Sequence, residues 1–270
     1  MMIATTGSEG TIGRELVKRG CIPINIDITN SELIRNEIEY INPDVVIHCA
    51  ALTDVKYCEE HFKESFEVNV RGTSNVVEAM PKNSLLIYLS TDHVFSGDNW
   101  VNHGYGEKHK PSPVNRYGFS KWGGELAAKT GNCRTIIVRS SKLFNFEWAK
   151  DTIYDLQNGE TVIVTDLIKR SFVHVNHFVN GLLYLANTYT KYPKLDIINI
   201  SGESVFSYYL FWNSLKKYLE LPGEIKPRGE ELKDEVPRPF RGGLEVVQAK
   251  KLGIPIYSIT DGFELLKQGV

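Results

Sequence analysis

The sequence predicts an α/β fold, a doubly wound parallel sheet covered by helices on both faces, with a smaller C-terminal lobe. Three observations predict it. The first half alternates short β-branched apolar runs with longer helical patterns. Those runs are continuously apolar rather than alternating, as strands buried on both faces require. A chain of 270 residues, set against about 150 for a typical domain, has room for one large domain and a smaller one.

Taken in order, residues 3–6 read as the first strand and 11–18 as the helix after it. Residues 22–26 form the second strand, and 31–40 a helix with Ser31 as its expected N-cap. A strand at 45–47, one long helix over 62–80, a strand at 85–89, a helix from about Asn115 and a strand at 135–138 complete the regular part. Beyond Leu143 the pattern weakens to a helix over 175–187, a strand at 197–200 and a tail over 224–243 broken by Pro227, Pro237 and Pro239. The expected division is a sheet domain over 1–145, with 166–200 returning to it, and a small lobe from 146–165 and 201–270.

Composition narrows the function classes. With 31 basic and 33 acidic side chains the formal charge is −2, so no bulk field favours nucleic acid or an anionic membrane. The basic runs, 108–110 and 216–217, are short. Cys21, Cys49, Cys58 and Cys133 show neither a CxxC pair nor a disulfide framework. The start, MMIATTGSEG, has no leader pattern, and no stretch reaches the length of a membrane span. A cytoplasmic protein is expected, with no nucleic-acid partner and no membrane attachment.

Gly7, Gly10 and Gly13 spell G-x-x-G-x-x-G between the first strand and the first helix, with Thr11 and Ile12 inside the motif. Glycine lets a turn tighten and brings backbone N–H groups at a helix N-terminus close to a pyrophosphate. Dinucleotide-binding folds commonly read the adenosine ribose with an acidic residue about 20 positions on. Asp27 follows Gly13 by only 14 positions, so it is placed near the adenine end and the choice between NAD and NADP stays open.

Tyr117 and Lys121 form Y-x-x-x-K, a spacing that puts both side chains on one helix face. The preceding strand ends in Ser90, Thr91 and Asp92, at the sheet edge where open α/β folds bind ligands. A hydroxyl, a phenol and an ammonium make the set needed to reduce a ketone as hydride arrives from a nicotinamide. Thr91 hydrogen-bonds the carbonyl and Tyr117 donates the proton. Lys121 lowers the phenol's pKa from its ordinary value of about 10 and can hold the cofactor ribose.

In order, GSEGTIG, PDVVIHCAALTDV, VNVRGT, LSTDHVF, YGFSK and VRSSKLF resemble the extended short-chain dehydrogenase/reductase superfamily, most closely its dTDP-4-dehydrorhamnose reductase family. Arg238-Pro239 and GGLEVVQAKKLGI extend the similarity into the tail. The resemblance implies a Rossmann-type fold and reduction of the C4 ketone of a nucleotide-linked 4-keto-6-deoxy sugar by NADPH or NADH. Gly7, Gly10, Ile12 and Gly13 then hold the pyrophosphate, and Asp27 with Ile28 lies at the adenine. Ala50, Ala51 and Thr53 line the cofactor cleft. Thr91, Tyr117 and Lys121 are catalytic, and Val55, Asp92, His93, Lys142 and Arg238 belong to the substrate side. Arg238 is the cation for the diphosphate. A homodimer is the expected assembly, and no metal is expected from Glu15 or from the His174 and His177 pair.

Three positions depart from the reductase pattern. His93 replaces the usual tyrosine, Lys142 replaces an aromatic facing the sugar, and KRSFVHV is more similar to nucleotide-sugar epimerases and dehydratases. Within enzymes the runner-up is a nucleotide-sugar dehydratase or epimerase, disfavoured because Asp92-His93 lacks the second carboxylate of the dehydratase acid pair. A non-catalytic NADP-binding subunit, resembling the regulatory subunit of methionine adenosyltransferase, is the alternative from another class. Trp122, Tyr208, Tyr209, Phe211 and Trp212 are expected in the core, and His103 and His109 in a loop over 98–113.

Overall fold

Six strands form the central sheet of the computed structural model, which describes residues 1–98, 104–228 and 236–268. They are β1 (Ile3–Thr6), β2 (Ile22–Ile24), β3 (Val45–His48), β4 (Leu85–Thr91), β5 (Arg134–Ser140) and, after three intervening strands, β9 (Ile197–Asn199). All pair in parallel in the order β2-β1-β3-β4-β5-β9. The order reverses between β1 and β3, which opens a crevice beyond their C-terminal ends. Helices cover both faces, as the continuous apolar strands require.

The strands show how one sequence serves two faces. Val45, Ile47, Leu85, Ile87, Ile136 and Val138 pack into one core, while Val46, Leu86, Tyr88 and Ile137 point into the other. The first core is closed by α1 (Thr11–Lys18) through Leu16 and by α8 (Val175–Thr188) through Phe178, Leu182 and Leu185. The second is closed by α2 (Ser31–Ile41) through Ile34 and Ile38 and by α5 (Thr73–Ala79) through Val76 and Val77.

Between β3 and α5 lie α3 (Val55–Glu60), α4 (Phe62–Phe66) and a π-helical turn (Glu67–Gly72), so the expected single helix over 62–80 is two helices joined by that turn. Two further boundaries move. Asn30, not Ser31, caps α2, its side chain accepting from Leu33 N at 3.1 Å. β2 stops at Ile24, and the side chain of the next residue, Asn25, accepts from the Ser8 hydroxyl in the glycine loop.

A third apolar cluster lies outside the sheet. Phe144, Ile153, Phe172, Phe211, Trp212 and Phe263 are buried together. They come from β6 (Lys142–Phe144), α7 (Phe146–Gln157), β8 (Lys169–His174), α9 (Tyr208–Tyr218) and α11 (Ile259–Lys267). β6 pairs in parallel with β8, and β10 (Val205–Ser207) pairs antiparallel to β8. β7 (Thr161–Thr165) pairs in parallel with β11 (Glu224–Arg228). α6 (Arg116–Ala128) follows β4, and α10 (Val247–Lys251) closes the first core. No helix among the described residues is long and apolar enough to cross a membrane.

Candidate active site

The glycine loop is shaped by close approach. Gly7 has φ of +62°, and a Cβ there would lie 2.7 Å from Ala50 N. A Cβ on Gly13 would lie 2.1 Å from Gly7 O, so the first turn of α1 rests directly on the loop. Gly10 caps α1 without a side-chain hydrogen bond, so the helix N-terminus carries no side-chain acceptor from its cap. A cleft of about 360 Å³ opens there, lined by Gly7, Gly10, Asp27, Ile28 and Ala50 among others.

Ile12 packs its side chain against the sheet core, leaving its backbone as what it can offer. Thr11, like Ile12 and Gly13, stands in the first turn of α1. Asp27 accepts from Thr29 N at 2.9 Å and Thr29 Oγ1 at 2.8 Å, which fixes one carboxylate oxygen in a local turn. Sequence reasoning missed Ser8, Glu9, Asn25 and Val68, which also line the cleft. Position just beyond β1 and β2 was the available signal for Ser8 and Asn25.

A second cleft of about 320 Å³ contains Thr53, Val55, Thr91, Asp92, His93, Tyr117, Lys142 and Arg238. The segment after β3 runs between the clefts, with Ala50 lining the first and Thr53 and Val55 the second. Ala51 lies between them, on the wall of neither. β4 delivers Thr91 to the sheet edge and α6 delivers Tyr117 to the same cleft, whereas Lys121, one turn on, is buried and lines neither cleft. Asn115 sets the start of α6. Its side chain accepts from Gly118 N at 2.8 Å and donates to Pro237 O at 2.9 Å. Gly118 has no room for a larger residue, because a Cβ would lie 2.1 Å from His93 O.

The π-helical turn supports the same helix. Buried Asn69 accepts from Leu52 N at 2.8 Å and donates to Leu52 O at 2.9 Å and Ser120 Oγ at 2.8 Å. It thereby ties the segment after β3 to α6, beside Tyr117 and Lys121.

Burial is the largest influence on both titrating groups. It pushes the Tyr117 phenol well above its ordinary value, while hydrogen bonding with Thr91 acts in the opposite direction. It pushes the Lys121 ammonium down to about 8, opposed chiefly by the Glu125 carboxylate. The Lys121 ammonium lies over the Tyr88 ring, 4.3 Å from its centroid. Burial, rather than the ammonium, therefore dominates the phenol's acidity, unlike the sequence expectation for Lys121. Glu125 itself is buried, bound through both oxygens by Arg139 at 2.7 Å and by Ser90 Oγ at 2.6 Å.

On the other side, Asp92 accepts from Ser141 Oγ and pairs with Arg170 Nε at 3.4 Å. His93 meets Tyr117 edge-on at 5.3 Å and faces Asn115 Nδ2 at 3.2 Å. Ser141, Thr165, Ile168, Arg170 and Tyr208 line this cleft and were not foreseen as site residues. Tyr208 packs against the third apolar cluster, as expected, and also forms part of this wall, while Phe211 and Trp212 are buried. The signal for Arg170 lay in KRSFVHV.

A family model described as the RmlD substrate binding domain matches residues 1–263. The chain belongs to this family. A dTDP-4-dehydrorhamnose reductase from Aggregatibacter actinomycetemcomitans is 34% identical over 150 residues, 52% of this chain and 50% of that protein. Methionine adenosyltransferase 2 subunit beta from Rattus norvegicus is 30% identical over 159 residues, 53% of this chain and 47% of that protein. The matched segment thus spans about half the length of these curated relatives. The crystal structure of dTDP-4-dehydrorhamnose reductase from Bacillus anthracis in complex with NADP superposes with a TM-score of 0.88 at 26% identity, covering 100% of both chains.

In this RmlD-family chain the candidate site sets the Tyr117 phenol beside Thr91 at the sheet edge, with the Lys121 ammonium one helical turn away. Among the described residues, no group of three or more His, Cys, Asp or Glu could hold a metal. His174 accepts from Asn176 N at the start of α8, and His177 stacks on Tyr257 at 3.8 Å. His109 accepts from Gly106 N at 2.9 Å, whereas His103 lies outside the described residues. Gly13→Ala drives a methyl into Gly7 O. The expected result is a loss of about 1–3 kcal/mol of stability and a large loss of dinucleotide affinity, read by thermal melting and NADPH titration.

Proposed function

We propose that this protein is an NAD(P)H-dependent reductase acting on the C4 ketone of a nucleotide-linked 4-keto-6-deoxy sugar, in the manner of dTDP-4-dehydrorhamnose to dTDP-rhamnose. The observation that carries the reading is the meeting of Thr91 and Tyr117 in one cleft, joined through residues 50–55 to a glycine-loop cleft. The glycine loop fits a pyrophosphate because its cradle has no room for a Cβ at Gly7 or Gly13. The NADP-bound relative supports NADP as one candidate cofactor. The reduced nicotinamide, when bound, supplies the hydride.

The chain's own residues supply the rest. Thr91 Oγ1 hydrogen-bonds the ketone oxygen and fixes its distance to the phenol. Tyr117, held protonated by burial, gives its proton to the oxygen as charge develops there. The Lys121 ammonium then favours the phenolate left behind and can hold the cofactor ribose. Arg238 lies across the cleft as a guanidinium suited to the diphosphate.

The test is a spectrophotometric assay of NADPH and NADH oxidation with dTDP-4-dehydrorhamnose and its UDP and GDP counterparts. Oxidation with at least one is expected, and none with any of them overturns the reading. A homodimer in the cytoplasm belongs to the same proposal and is read by analytical ultracentrifugation and cell fractionation.

A further inference from the structure

Lys142, Arg170 and Arg238 line the cleft that holds Thr91 and Tyr117, facing the carboxylate of Asp92. Arg170 has structural commitments. Besides Asp92, it donates through Nη1 to the carbonyls of Lys169 and Pro239 at 2.8 and 2.7 Å. Lys142 is placed differently. It opens β6 directly after Ser141, whose hydroxyl is bound to Asp92, so the strand brings its side chain to the wall near the reacting edge. Its ammonium lies over the Trp148 ring, 4.4 Å from the centroid, which steadies the long side chain while leaving its charge in place. A sugar methyl or an apolar ring face gains nothing from an ammonium there, because a charge buried against carbon is unfavourable. An anionic oxygen gains a charge-assisted hydrogen bond.

We propose that Lys142 is a specificity-determining residue that pairs with an anionic oxygen of the substrate, supplied by the nucleoside diphosphate or by a carboxylate on the sugar. The inference rests on the nucleotide-sugar reading above. Among the described residues, the charged and titratable groups that share this cleft with Lys142 are Asp92, His93, Tyr117, Arg170, Tyr208 and Arg238. Burial and the two guanidiniums bring the Lys142 ammonium down to about 8, with Asp92 opposing them. His93 is pushed well below its ordinary range by burial and the same guanidiniums, and stays neutral in that window. A bound anion favours the ammonium, so affinity is retained below about pH 8 and lost as pH rises through it.

The experiment is calorimetric titration of the NADP-loaded protein with UDP, UDP-glucose and UDP-glucuronate, and with dTDP and dTDP-glucose. Wild type, Lys142→Met and Lys142→Arg are compared at pH 7 and pH 9. Lys142→Met is expected to weaken binding by about tenfold or more at pH 7, with Lys142→Arg recovering most of it. Weakening for every diphosphate assigns the phosphate, and weakening for UDP-glucuronate alone assigns a sugar carboxylate and replaces the 6-deoxy sugar of the reading above. Wild-type affinity should fall between pH 7 and pH 9, and that fall should vanish in Lys142→Met. Equal affinity of wild type and Lys142→Met for all probes overturns the inference while leaving the proposed function standing. A wild-type affinity that does not change with pH also overturns it, whether or not the variants fold. If the wild type binds none of the probes, the inference falls, while the reductase assay with the dTDP, UDP and GDP 4-keto sugars decides the proposed function separately.

Discussion

Tyr117→Phe should lower turnover by about 10²–10⁴-fold while leaving NADPH affinity unchanged. The substitution removes only the hydroxyl. The ring stays edge-on to His93, and Ser120 Oγ still donates to the Tyr117 carbonyl at 2.8 Å, so the start of α6 keeps its anchors. What disappears is the proton that meets the ketone oxygen. The measurement is steady-state kinetics with the active sugar nucleotide, paired with fluorescence titration of NADPH. Unchanged turnover would rule out Tyr117 as the acid. Full biological function of Tyr117→Phe in a complex with a larger catalytic partner would instead favour a binding subunit, the class to which the methionine adenosyltransferase relative's name points.

Glu125→Ala should cost about 3–5 kcal/mol of folding stability. Glu125 and Arg139 are 3% and 2% exposed, so removing the carboxylate strands a guanidinium in the interior. Arg139 retains its position over the Phe95 ring, 5.1 Å from the centroid, which is a weak substitute for a two-pronged carboxylate. The apolar pair Glu125→Leu with Arg139→Met should recover most of the loss, because it removes both buried charges together. Denaturant unfolding of the single and double variants reads the difference. A single variant as stable as wild type would show that the pair contributes little. The carboxylate also supports the Lys121 charge one turn earlier, so even a stabilised double variant is expected to lose activity.

The parts of this molecule that were legible in the sequence are those whose cause is local. The runs in β3, β4 and β5 are apolar on both faces, and three glycines at a strand end require a tight turn wherever they occur. Tyr117 and Lys121 were legible because four residues on a helix make one face. The rest depends on partners distant in the chain. Asn30 and Ser31 are both capable caps, and the one-residue choice is made by which side chain reaches Leu33 N. Ser141, Arg170 and Tyr208 reach the cleft only because β6, β8 and β10 pair beside the main sheet, a non-local event with no pattern within any one segment. The turn at Glu67–Gly72 is likewise invisible to helical periodicity. It is accompanied by the hydrogen bonds of Asn69 to Leu52 and Ser120, across 17 and 51 positions of chain.

That turn also makes the site sensitive to the count of residues rather than to their kind. Each residue of an α-helix advances the face by about 100°. A wider turn inserts an extra step, so α4 and α5 are out of phase with one another. Deleting one residue between 67 and 72 would restore a uniform helix and rotate everything on one side of the deletion by about that angle. Asn69 would then point away from Leu52 and Ser120 although no site residue had been replaced. In this segment chain length works as a structural variable, and a one-residue gap carries more consequence than most substitutions.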